Sequence, residues 1–193
     1  MSESSIDILV HCKQGDTNAF RLLVEEYQAY AFRLAFRLLC CEEDAKDVVQ
    51  ESFIRVWRHL PQYNLKSKFT TWLYRIVTNL CYDRIKARRR QGKIMQQNSD
   101  TLNSNTISCN YDLEKEMSNK ELAQIILDIA EELSPKQKTV FVLRDLQDLS
   151  ISEVAKITGL SKGTIKSNLY HARLHIREKC EQLNINYGLQ DEM

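Results

Sequence analysis

The sequence predicts an all-α protein of two small helical domains joined by a flexible linker, and three observations carry that expectation. Glycine and proline are scarce, five and two in 193 residues, so few positions interrupt a helix. Apolar residues recur at helical spacing through most of the chain. Between residues 94 and 116 this periodicity stops and Asn, Ser, Thr and Gln take over, the composition of a linker. The boundaries therefore fall at 1–93 for the first domain, 94–116 for the linker, 117–183 for the second domain and 184–193 for a tail. Neither a strand pattern nor an internal repeat is visible.

The first helix expected spans 17–39, where Phe20, Leu23, Val24, Tyr27, Ala31, Leu34 and Leu38 share one face and Asp16 or Thr17 can cap the start. The next spans 42–60. Glu42, Glu43 and Asp44 complement the dipole of its first turn, Val49, Phe53, Val56, Trp57 and Leu60 form its apolar side, and Pro61 stops it. Asp44, Asp47 and Glu51 recur on the other side, as either a solvated stripe or a partner surface. A loop at 61–68 carries Tyr63, Lys66 and Lys68.

A helix follows from Phe69. Phe69, Leu73, Ile76, Val77 and Leu80 form its buried stripe, with Trp72 beside it, and Thr71, Arg75, Asn79, Tyr82 and Lys86 form its other face. Its end is strongly basic, through Arg84, Lys86, Arg88, Arg89, Arg90 and Lys93. Cations interleaved with aromatics suit single-stranded nucleic acid, because phosphates meet charge and unstacked bases meet rings. A helix end decorated with cations above core aromatics has the same composition, so both readings stand on this segment alone.

After the linker, Ser118 and Glu121 form a capping box ahead of Leu122, Ile125, Ile126 and Ile129. Ser134–Pro135 starts a further helix carrying Val140, Phe141, Leu143 and Leu146. Ser150 and Glu153 form a second capping box opening a short helix with Ile151, Val154, Ala155 and Ile157. Gly159 permits the left-handed turn that ends it. Ser161 caps the last helix, whose buried side is Ile165, Leu169, Ala172 and Ile176. Two helices about a glycine turn make a helix-turn-helix, which places its second helix in the major groove of DNA. Lys162, Thr164, Lys166, Ser167, Asn168, His171 and Arg173 lie on the outward side of that helix, and these residue types pair with phosphates and base edges.

Other chemistries find little support. The net charge is only +1, so distribution rather than total charge points to nucleic acid. No apolar run approaches the roughly 20 residues of a membrane span, and the start lacks a secretion signal, so a cytoplasmic location is expected. Cys12, Cys40, Cys41, Cys81, Cys109 and Cys180 contain no C-x-x-C pair; they read as small buried hydrophobes rather than a metal or disulfide set. No metal site, cofactor, Gly-rich phosphate loop or nucleophile motif appears, which leaves an enzyme such as a nuclease without footing.

Three segments taken together, DAKDVVQESFIRVWRHL at 44–60, FTTWLYRIVTNLCYDRIKARRR at 69–90 and LSPKQKTVFVLRDLQDLSISEVAKITGLSKGTIKSNLYHAR at 133–173, resemble the extracytoplasmic-function (ECF) group of bacterial RNA polymerase sigma factors, of the sigma-70 class. The resemblance implies a region 2 helical bundle followed by a four-helix region 4 with a helix-turn-helix. It implies that Asp44, Asp47, Gln50 and Glu51 dock on the clamp coiled coil of the polymerase β′ subunit. Tyr63, Lys66, Lys68, Trp72, Tyr74, Arg75, Asn79 and Arg84 would recognise and open the promoter −10 element on its nontemplate strand, with Tyr63 and Asn79 helping to hold a flipped-out base. Lys162, Thr164, Lys166, Ser167, Asn168, Tyr170, His171 and Arg173 would read the −35 element in double-stranded DNA, while the earlier helices of region 4 would meet the β flap. An anti-sigma factor is a further implied partner. Asn168 and His171 stand where family members often have arginine, so the −35 preference implied here departs from the common one. The competing reading is a helix-turn-helix regulator without sigma activity, which accounts for the second domain and leaves the 69–90 helix without a use.

Overall fold

The computed structural model describes residues 3–97 and 117–183, with side-chain detail over 6–88, 90 and 124–183. Residues 98–116 of the expected linker, the 184–193 tail and Cys109 lie outside the described residues, as do the side chains of the Ser118–Glu121 box. Eight α-helices and no strand occur among the described residues. They belong to two compact units, Met1–Ile107 and Ser108–Met193.

In the first unit, α1 spans Glu3–Lys13, α2 Thr17–Leu39, α3 Glu42–His59 and α4 Phe69–Gln97. Helix α1 is not expected from the sequence. It buries Leu9 and Cys12, too few apolar positions to announce a helix. Asp16 caps α2 by accepting hydrogen bonds from the backbone N–H groups of Asn18 and Ala19 at 2.8 and 3.1 Å. Cys40 ends α2 in the left-handed region, at φ 46°. Pro61 sits inside a 3₁₀ turn, Leu60–Gln62, that continues from α3. Helix α4 runs four residues past Lys93, so Ile94–Gln97 are helical.

The core of this unit packs α2 against α3 and α4. Leu23, Tyr27, Ala31, Leu34 and Leu38 come from α2, Ala45, Val48, Phe53 and Val56 from α3, and Phe69, Leu73, Val77, Leu80 and Cys81 from α4. Ala31 and Ala45 are fully buried, and their small side chains let the helix backbones approach. Val48, not the expected Val49, faces inward on α3; Val49 is half-buried. Helical phase explains this. Ala45, Val48, Ser52 and Val56 lie at i, i+3, i+7 and i+11, and the buried Ser52 hydroxyl is satisfied by donating to the Val48 carbonyl at 2.7 Å.

In the second unit, α5 spans Met117–Glu131, α6 Pro135–Phe141, α7 Ile151–Thr158 and α8 Lys162–Gln182, with one wide turn of π-helix at Val142–Leu146. Both Ser134 with Gln137 and Ser150 with Glu153 form complete capping boxes. Ser161 caps α8 by accepting from the Thr164 N–H at 3.1 Å. Helix α8 packs on α5, α6 and α7 through Ile165, Leu169, Ala172, Ile176 and Cys180, which meet a core containing Ile126, Ile129, Val140, Phe141, Leu143, Val154 and Ile157. The Lys138 side chain is buried against this core, with its ammonium on the Glu131 carboxylate. Arg173 makes a two-pronged bond to Asp145, its Nε and Nη2 donating at 2.9 and 2.8 Å. That pair ties the middle of α8 to the π turn.

Gly159 has φ +73° and nothing within 4 Å of a Cβ built on it, so substitution there meets backbone strain alone. Gly159→Ala is expected to cost about 1–2 kcal/mol. Gly163, in the first turn of α8, has an ordinary helical backbone and only a 3.9 Å contact at the added Cβ, so Gly163→Ala is neutral or stabilising by up to about 1 kcal/mol. Urea unfolding followed by circular dichroism checks the pair; shifts of the same sign and size would contradict the assigned turn geometry.

Candidate nucleic-acid and partner interface

The loop between α3 and α4 is built on itself before any ligand arrives. The Asn64 side-chain oxygen accepts from the Lys66 N–H at 2.9 Å, and the Asn64 carbonyl accepts from the Ser67 hydroxyl at 2.7 Å. Tyr63 is buried, with its hydroxyl donating to the Ser67 carbonyl. Lys13 of α1 reaches across and donates to the Tyr63 carbonyl at 2.8 Å. Burial pushes the Tyr63 phenol above its ordinary range, so it remains a neutral donor. The folded loop leaves Lys66 and Lys68 exposed at the start of α4.

Tyr63 is therefore not an open ring for a base. It stacks under Trp72, centroids 4.7 Å apart at 27°, and meets the buried Phe69 edge-on at 6.0 Å. Phe69 in turn meets Trp72 at 5.9 Å and Tyr27 at 4.9 Å. Trp72 is the half-exposed outer member of this aromatic group. Arg75 and Asn79, one turn apart on α4, are exposed beyond it, and Lys86 lies over the Tyr82 ring at 4.4 Å on the same face. Trp72, Arg75 and Asn79 thus share one accessible region.

Tyr74 and Arg84 are placed differently. Tyr74 is buried on the α2 side of α4 and feels the charges of Arg33 and Arg37; burial outweighs them and raises its phenol. Arg84 points to α3, where its two Nη atoms donate to Asp44 at 3.0 Å and Asp47 at 3.3 Å. Arg88 joins the same cluster, bonding Asp44 and donating to the Leu39 carbonyl at 3.2 Å. The acidic stripe is correspondingly uneven. The Asp44 side chain is only 19% exposed and is held by two arginines, whereas that of Asp47 is 61% exposed. Gln50 is exposed, and Glu51 pairs with Arg55 along the helix at 2.9 Å. Asp47, Gln50 and Glu51 are the accessible part of the stripe. Sequence reasoning did not find the Arg84–Asp44 and Arg88–Asp44 pairs, because partners some forty residues apart leave no local signal.

On α8, Lys162, Thr164, Lys166, Ser167, Tyr170 and His171 are exposed, with Tyr170 the most exposed large hydrophobic side chain of those described, at 65%. The His171 ring sits edge-on to it at 5.4 Å. Asn168 donates its amide to the Thr164 carbonyl at 2.8 Å, and the Thr164 hydroxyl shares a hydrogen bond with Ser161. Arg173 is taken up by Asp145, so its guanidinium serves the fold. At the far end of α8, Lys179 at 2.8 Å and His175 at 3.2 Å meet Glu132, and the Lys179 hydrogen bond holds that carboxyl below its usual range.

Cys12, Cys40, Cys81 and Cys180 are buried thiols and Cys41 is half-buried. Burial, helped by Asp16, pushes Cys12 up to about 11, far from a reactive thiolate. Among the described residues, no three His, Cys, Asp or Glu side chains gather as a metal site needs. No described helix is long and apolar enough to cross a membrane.

Comparison with known proteins gives this geometry a context. Residues 23–91 match the profile of Sigma-70 region 2, and residues 123–176 that of Sigma-70, region 4. The ECF RNA polymerase sigma factor SigW of Bacillus subtilis is 30% identical over 175 residues, covering 89% of this chain and 94% of SigW. The ECF RNA polymerase sigma-E factor of Haemophilus influenzae is 34% identical over 189 residues, covering 95% of this chain and all of the relative. Among solved structures, the sigma factor RpoE of Bartonella quintana, determined in complex with the anti-sigma factor NepR, shares the fold with a TM-score of 0.68 at 22% identity, covering 87% of this chain and 98% of that one. On the strength of two regional profiles in one chain and relatives matched over nearly their full length, this protein belongs to the ECF family of RNA polymerase sigma factors.

Proposed function

We propose that this chain binds core RNA polymerase and directs it to promoters, with the first unit through the end of α4 acting as region 2 and 117–183 acting as region 4. The observation that carries the reading is the pairing of both regional profiles in one chain whose relatives, matched along their length, are sigma factors. A helix-turn-helix regulator would use α7 and α8 but would leave the exposed face of α4 without a role.

In this reading Asp47, Gln50 and Glu51 dock on the β′ clamp coiled coil, while Asp44 fixes α4 beside them through Arg84 and Arg88. Trp72 offers its outer face to a base flipped from the nontemplate strand, with Tyr63 backing its inner face. Asn79 supplies hydrogen bonds to that base, and Arg75, Lys66 and Lys68 meet phosphates. Lys162, Lys166 and Ser167 hold the −35 backbone, Thr164, Asn168, Tyr170 and His171 lie at base edges, and Arg173 orients α8 from behind. The earlier helices of the second unit meet the β flap. The NepR complex of the related fold supports an anti-sigma factor as a further partner, one that covers the polymerase-docking surfaces. A cytoplasmic site of action accompanies this role.

Magnitudes explain the division of labour. Opening DNA costs about 1.4 kcal/mol per stacked step, and a base captured on a ring returns roughly 1–3 kcal/mol. One aromatic position cannot offset several steps, so melting requires the polymerase. Two modest DNA contacts on a tether also strengthen each other by raising effective concentration.

Reconstitution tests the function: core polymerase with this protein on a library of genomic promoters, start sites mapped. Discrete start sites absent with core alone are expected; no association with core and no start-site selection would refute the reading. His171→Arg tests the −35 assignment. A bidentate arginine–guanine contact is worth about 1–3 kcal/mol, so the substitution should redirect −35 preference toward guanine and leave core affinity unchanged. Identical promoter profiles for both proteins would remove His171 from the base-reading set.

A further inference from the structure

Helix α1 carries a residue that none of the roles above uses. Lys13, the last residue of α1, is half-buried and donates to the carbonyl of Tyr63, fifty positions along the chain, at 2.8 Å. Its backbone is firmly placed. Leu9 and Cys12 anchor α1 by burial. Just past Lys13 the chain turns at Gly15, whose φ is +89°. The N–H groups of Gln14 and Gly15 donate there to the His11 and Cys12 carbonyls at 3.0 and 3.1 Å, and Asp16 then caps α2. Lys13 also precedes residues 23–91, the segment that matches Sigma-70 region 2, so it reaches the α3–α4 loop from outside the matched segment. Tyr63 ends the 3₁₀ turn, with its N–H donating to the Leu60 carbonyl at 3.0 Å. Its backbone is extended at that point, so its own carbonyl has no place in a helical ladder. A carbonyl on a residue only 4% exposed must shift or stay unpaired when its charged donor is removed. Any shift carries the Tyr63 ring with it, and that ring lies under Trp72 at 4.7 Å and 27°.

We propose that Lys13 is a positioning residue for base capture: through the Tyr63 carbonyl it sets the plane of the Trp72 ring, and so the choice of base at the stacked position of the −10 element. Lys13 touches no DNA in this role. A stacking face alone accepts any base. It contributes to selection only while its plane is held in register with the hydrogen-bonding group beside it, here Asn79, two turns on along α4. Trp72 is half-exposed, so the ring beneath it governs its tilt. Three bonds to Tyr63 fix that lower ring: Phe69 meets its edge, its hydroxyl donates to the Ser67 carbonyl, and Lys13 holds its backbone. The first two come from the α3–α4 hairpin itself and move with it. Lys13 ties the hairpin to a separate helix. The role rests on the reading of Trp72 and Asn79 as the base-receiving pair.

Two measurements on the full chain decide the matter. The first is acrylamide quenching in a Trp57→Phe background, which leaves Trp72 as the remaining one of the two tryptophans. Lys13→Met should raise the quenching constant of Trp72, Lys13→Arg keeps a charged donor and should restore it, and Arg21→Met removes a cation elsewhere and should match the parent. The second is the affinity of the holoenzyme for fork templates with a single-stranded −10 segment, built on a promoter from the start-site map, with each −10 base replaced in turn by an abasic site. Lys13→Met should weaken binding of the intact template about three- to tenfold, a part of what stacking one base returns. That loss should vanish at the one abasic position where the captured base is missing, and core association, read by co-purification, should hold. A merely structural role would weaken every template alike. Trp72 quenching unchanged by Lys13→Met, unchanged fork affinity, or an equal loss on intact and all abasic templates overturns the proposal. A wild-type chain whose Trp72 responds to Lys13 as described but which fails to associate with core sinks the sigma-factor reading, and base positioning with it, from the other side, so the two failures are distinguishable.

Discussion

The burial of one face of α4 against α2 and α3 is the constraint from which the rest of the first unit follows. Phe69, Leu73, Val77 and Cys81 are fully buried, and a helix has only one phase. Once those four point inward, Arg75 and Asn79 must point outward and Tyr74 must enter the seam with α2. The same packing decides what Trp72 can do. Its inner face is spent on Tyr63 and its edge on Phe69, so a single outer face remains for a ligand. Tyr63 thereby backs Trp72, and its bonds to Ser67 and from Lys13 hold it in place.

A second principle sorts the cations. The chain is nearly neutral, 27 basic against 26 acidic residues, and the basic end of α4 is conspicuous in the sequence. Carboxylates decide which of those charges face outward. Asp44 claims Arg88 and shares Arg84 with Asp47, and Asp145 claims Arg173. An arginine held by a half-buried carboxylate gives up its partner only at the expense of leaving that carboxylate desolvated. Arg173 and Arg88 are accordingly parts of the scaffold. Exposed pairs such as Arg21 with Glu25, at 3.9 Å, are weak and hold nothing in place.

What could be read from the sequence follows the range of each interaction. Helix starts were legible because their signals are local: Ser134, Ser150 and Ser161 cap as expected, Asp16 is the one of the two candidates that caps α2, α5 begins at Met117, one residue before the expected Ser118, and Gly159 takes the left-handed turn. The buried side of α8 was legible from its period, and Ile165, Leu169, Ala172 and Ile176 are all buried. The phase of α3 was off by one position at Val48 and Val49, because adjacent valines give periodicity no means of choosing. Helix α1 was missed because two buried residues make a faint stripe. The placements of Tyr63, Tyr74, Arg84 and Arg173 were invisible for a different reason. Their environments are made by residues distant in the chain, and composition cannot say whether a tyrosine or an arginine in a motif faces solvent or a neighbour.

In the proposed reading two helices of one small unit turn to two different partners, α3 toward protein and α4 toward nucleic acid, with their separation set by the core between them. The most direct measurement of that claim is site-specific photocrosslinking in the assembled polymerase–promoter complex, with the crosslinker placed at Gln50 on α3 or at Asn79 on α4. The account predicts adducts to the large polymerase subunit from position 50 and to the nontemplate strand from position 79. DNA adducts from position 50, or polymerase adducts alone from position 79, would contradict it.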